Sequence, residues 1–68
     1  MGLEKELEEK GWVRIHGTVR VDNTRTGAWE RYDRDTRLMS PDNRAVYRPQ
    51  TGKLTYFSSD ERVMIEQD

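Results

Sequence analysis

Residues 12–21, Trp12-Val13-Arg14-Ile15-His16-Gly17-Thr18-Val19-Arg20-Val21, decide how the rest of the chain is read. Val13, Ile15, Val19 and Val21 share one parity, and Trp12, Arg14, His16, Thr18 and Arg20 the other. That two-residue period belongs to a strand with one buried face. Valine, isoleucine and threonine dominate the run, and Gly17 allows a neighbouring backbone to approach or the strand to bend. The segment is therefore expected to be the central strand, with arginines, a histidine and a tryptophan on its other face.

On the N-terminal side, Leu3 to Lys10 reads as a short helix. Its residues are strong helix formers, Leu3 and Leu7 stand at i, i+4, and Gly11 is the stop. So short a helix is not stable alone in water, so both leucines are expected to dock on the sheet. On the C-terminal side, Asp22-Asn23-Thr24-Arg25-Thr26-Gly27 is a turn. A second strand over 28–38 follows, in which Trp29 has the opposite parity to Tyr32 and Leu38. A bulge near Glu30 and Arg31 would bring Trp29 beside Val21, with Tyr32 and Leu38 beside Val19 and Val13. Arg14 would then face Arg37, and His16 would face Asp35.

Ser40-Pro41-Asp42-Asn43 forms the next turn, Ala45 to Arg48 a short third strand, and Pro49 ends that strand or marks it as an edge. Leu54–Ser58 and Arg62–Glu66 supply a fourth and a fifth strand. The expected fold is α+β, mostly β: a short N-terminal helix packed on a five-stranded antiparallel meander, rolled as a bent sheet or a small SH3-like barrel. One domain would cover 1–68, with the helix in 1–11 and the sheet in 12–66. At an offset of 25 residues the segments 26–38 and 51–63 share four identities, including Thr26-Gly27 and Thr51-Gly52. Two copies do not make a solenoid; they reflect either turn chemistry common to two hairpins or a duplicated strand-turn-strand unit, and both readings place Gly27 and Gly52 in turns.

Composition narrows the function classes. Only twelve of 68 residues are Leu, Ile, Val or Phe, and a core this small supplies about 3 to 5 kcal/mol. The chain has no cysteine and one histidine, which leaves neither a disulfide framework nor a transition-metal site, and no cofactor is expected. No apolar run resembles a signal peptide or a membrane span, so the expected location is the cytoplasm, without membrane association. Acidic residues concentrate at both ends of the chain and arginine in its middle.

Three functions fit this inventory. The first is a non-catalytic protein-interaction module, such as a regulatory or inhibitory factor of a bacterium or phage, because Trp, Tyr and Arg dominate interface energetics. Its surface would comprise Trp12, Arg14, His16, Arg20, Arg31, Arg37 and Tyr47, and the short strand at Tyr47 would be an edge open to a partner or to a second copy. The second is a nucleic-acid-binding sheet face built from the same arginines, tryptophan and histidine, set against a sequence pI of about 5.8. The third is a small ribonuclease with His16 as acid or base beside Asp35 or Glu30. Trp29 is expected to fill the interior, and Trp12 either to cap the helix–sheet junction or to join the binding surface.

Overall fold

The computed structural model describes residues 2–67. A helix, α1 (Gly2–Glu9), precedes five strands: β1 (Val13–Asn23), β2 (Trp29–Met39), β3 (Ala45–Arg48), β4 (Lys53–Tyr56) and β5 (Glu61–Gln67). Local chemistry explains the first junction. Gly11 takes φ +95°, the Trp12 amide donates to Leu7 O at 3.1 Å, and the Gly11 amide donates to Glu8 O at 3.1 Å. This is a Schellman ending, and it brings Trp12 back onto Leu7.

All five strands pair antiparallel in one sheet of order β4-β3-β2-β1-β5, so β1 to β4 form a meander and β5 returns beside β1. The sheet is not closed into a barrel. It nonetheless has to roll. A connection from Tyr56 to Glu61 reaches about 18 Å at full stretch, whereas four strand spacings in a flat sheet already span about 19 Å before any travel along the strands. The curled seam is held by the Arg44 guanidinium, which donates to Glu61 O at 3.0 Å and to Ser58 O. At the far end, the Thr24 amide donates to Asp60 O at 2.8 Å.

Register departs from the sequence expectation at a decisive place. From Asp22↔Trp29 to Val19↔Tyr32 the pairing is regular, and the bulge falls between Gly17↔Asp35 and Val19↔Tyr32, where Thr18 opposes Asp33 and Arg34. The expected position at Glu30 and Arg31 is therefore corrected. Because residues 29 to 32 alternate without interruption, Tyr32 and Trp29 lie on opposite faces; Tyr32 packs inward and Trp29 stays 60% exposed rather than filling the interior. A bulge bends and twists its strand. Opposite it, the missing side chain of Gly17 leaves room for the backbone of β5.

The sheet buries both faces unequally. Ile15, Val19, Val21, Met39, Val46 and Phe57 form the inner core, with Tyr32, Val63 and Ile65 packed against it. On the outer face, Leu7 of α1 covers Leu38 and Tyr47, with Trp12 at the margin. Leu3, expected to dock with Leu7, stays 42% exposed. The two segments similar at an offset of 25 residues fold differently: 26–38 enters a single strand, whereas 51–63 is strand, turn and strand. Only the left-handed glycines Gly27 (φ +79°) and Gly52 (φ +72°) play the same part.

Candidate functional site

Residues opposite one another in an antiparallel pair share a face, so the register assembles the outer surface row by row. Arg31 of β2, Arg20 of β1 and Met64 of β5 form one row; Trp29, Asp22 and Arg62 form the next. The Arg20 guanidinium stacks 5.1 Å from the centroid of the Trp29 ring. Its Nε donates to Asp22 Oδ1 at 3.1 Å, and Arg62 Nη2 lies 3.8 Å from Asp22 Oδ2. Asp22 thus orients two arginines around one exposed indole. Three guanidiniums against one carboxylate leave this patch positive.

The expected surface residues part company. Arg20 and Arg31 face one another in the patch, and His16 is exposed farther along β1, its Nδ1 2.7 Å from Thr36 Oγ1. Arg14 is exposed but engaged by α1, with Nη2 3.2 Å from Glu4 Oε2 and 3.1 Å from Glu8 Oε2. Trp12 is half-buried against Leu7, Leu38 and Tyr47, which is the junction-capping role. Tyr47 is buried beneath α1 and does not face solvent. Its strand is not an edge, because β3 pairs with both β2 and β4; the edges are β4 and β5.

Arg37 requires a second correction. It lies opposite Ile15 rather than Arg14, on the inner face, and is only 7% exposed. Its Nη1 donates to Gly17 O at 3.2 Å and its Nη2 to Asp33 O at 2.8 Å. Burial pushes its guanidinium below the usual arginine range. The expected His16–Asp35 pair is also absent, because His16 opposes Thr36 and Asp35 opposes Gly17, on the other face. Glu30, opposite Val21, likewise lies on the face away from His16 and accepts the Tyr32 hydroxyl at 3.0 Å. Burial, followed by that carboxylate, raises the Tyr32 phenol above its ordinary range.

Asp35 has other partners. It accepts from the Thr36 amide at 2.8 Å, from Arg48 Nε at 2.6 Å and from Gln50 Nε2 at 2.7 Å. Sequence reasoning overlooked Arg48 and Lys53, which oppose one another across β3 and β4, and with Arg37 line a small inner-face cavity. Their common parity with Val46 and Thr55 was the available signal. Among the described residues, no cluster of three or more His, Asp or Glu side chains is placed to hold a metal ion, and no helix is long and apolar enough to cross a membrane.

Compared with known proteins, the chain matches no family model, and no curated protein or solved structure resembles it significantly.

Proposed function

We propose that this chain is a non-catalytic protein-interaction module whose contact surface is the outer patch of Trp29, Arg20, Arg31, Met64 and Arg62. The observation that supports the reading is the exposed indole of Trp29 with Arg20 stacked on it. Trp and Arg are the residues whose truncation most often costs an interface its affinity, and here a carboxylate holds two of the arginines in place before any partner arrives. The positive patch selects an acidic segment of the partner. A regulatory or inhibitory factor acting in the cytoplasm is the role that fits so small a module, and it belongs to the same proposal.

Nucleic acid is the second reading, favoured by the pairing of Arg20 with Arg31 beside an indole on which a base could stack. Against it, a phosphate backbone running along β1 would meet Glu4 and Glu8 beside Arg14. One experiment separates the two. The full chain and its Trp29→Ala and Arg31→Ala variants are used to capture partners, and each is titrated with single- and double-stranded DNA and RNA at low and moderate salt. Capture of a defined protein that both variants lose, without nucleic-acid binding, supports the module. Retardation of nucleic acid that fades with salt and with Arg31→Ala would replace it with the second reading.

A further inference from the structure

The inner face of the sheet, opposite the proposed contact patch, carries a partly open pocket of about 100 Å³. Val19, Val46 and Phe57, all buried, supply its apolar lining, and Arg37, Arg48 and Lys53 its cations. We propose that this cavity binds a small organic carboxylate, its aliphatic body resting on Val19, Val46 and Phe57 and its carboxylate meeting Arg48 and Lys53. None of the cavity-lining residues is acidic. Carboxylates stand around the lining: Asp35 pairs with Arg48, Asp35 and Asp33 both act on Arg37, and Glu30 accepts from the lining Tyr32.

Lys53 is the cation these carboxylates leave for an anion to neutralise. Arg37 is buried, and its hydrogen bonds go to the carbonyls of Gly17 and Asp33, which satisfy its donors without cancelling its charge. Arg48 and Lys53, by contrast, are exposed, so water and salt screen their attraction for an anion and the apolar lining has to contribute. Arg48 and Lys53 stand opposite one another on the same face, so their side chains approach one region of the cavity. Lys53 forms no salt bridge among the described residues, which leaves its ammonium available. Size selects the body: an apolar cavity of about 150 Å³ holds benzene, so about 100 Å³ accommodates roughly four or five heavy atoms. The isobutyl body of isovalerate has that size, with its carboxylate left at the cationic rim; inorganic phosphate would leave the apolar lining uncovered.

The test is an amide-resolved NMR titration of the full chain with isovalerate, with 3-methylbutanol as its uncharged analogue, and with inorganic phosphate, all at constant ionic strength. Isovalerate is expected to give saturable shifts at Val19, Val46, Thr55 and Phe57, while the alcohol does not saturate. Lys53→Met, at an exposed position, is expected to keep the wild-type melting temperature and to weaken isovalerate about tenfold, the effect of one lost charge-assisted contact. Absence of saturable shifts, an affinity unchanged by Lys53→Met, or equal affinity for phosphate would each overturn the proposal. The outer patch is on the other face, so loss of partner binding by Trp29→Ala bears on the proposed function and not on this cavity.

Discussion

A methyl group added at Gly17 should cost this protein a large part of its stability. A Cβ there would lie 2.1 Å from the Glu66 carbonyl oxygen, 2.9 Å from Gln67 Cα and 3.0 Å from the Glu66 carbonyl carbon. Comfortable contact is about 3.5 Å, so strand β5 must retreat by more than 1 Å or come away. The obstacle is backbone, which no rotamer change removes. If β5 retreats as a whole, overpacking costs about 1–3 kcal/mol. If only its end detaches, the Gly17↔Gln67 and Thr18↔Glu66 pairings are lost, at about 1 kcal/mol for each hydrogen bond. Both routes give about 2 kcal/mol, or a melting temperature lowered by about 8–16 °C in a domain of this size. Thermal unfolding followed by circular dichroism measures it, with Gly2→Ala as control, since nothing lies within 4 Å of that position. A Gly17→Ala melting temperature within about 2 °C of wild type would refute the close approach of the β5 backbone to Gly17.

Three further perturbations probe other parts of the fold. Leu38 is fully buried against Leu7 and Tyr47, so Leu38→Ala should cost about 2–5 kcal/mol and leave much of the chain unfolded at 25 °C; a cooperative urea transition near the wild-type midpoint would contradict this. Arg37→Met keeps the length of the side chain but strands two carbonyls, and should destabilise by about 1–3 kcal/mol in the same assay. Asp35 is held below the usual carboxylate range by the Thr36 amide and then by Arg48, with partial burial opposing, and Asp42 by the Ser40 hydroxyl and then the Arg44 amide. Since both folded values lie below the unfolded value of about 3.9, their contribution is complete above roughly pH 4 and is lost as pH falls through the folded values. Urea midpoints between pH 2 and 6 should therefore decline below about pH 4, and less steeply in Asp35→Asn.

Neighbours along the chain settle one part of this fold. Alternation in Trp12–Val21 specified a strand and its buried parity, and Gly11, Gly27 and Gly52 marked backbone positions that only a left-handed residue satisfies comfortably. The helix and all five strands follow from such local signals, and so does the antiparallel pairing of β1 to β4 through short turns, whereas the return of β5 to β1 does not. Which face each side chain occupies was decided by tertiary structure. With Tyr32 beside Val19 as expected, displacement of the bulge from Glu30 and Arg31 to Asp33 and Arg34 reverses the parity on either side of that interval, and this moved Trp29 into solvent and separated Asp35 from His16. Arg37 and Tyr47 were expected at the surface, but the register put Arg37 on the inner face, where it is buried, and docking α1 covered Tyr47. Neither event has a local signature, because each depends on surfaces that meet only after strands distant in sequence have paired. The two candidate sites have the same origin: the outer patch joins β2, β1 and β5, and the inner cavity joins β1 to β4. Residue types were legible in advance, whereas their grouping depended on where the register slipped and where the sheet curled.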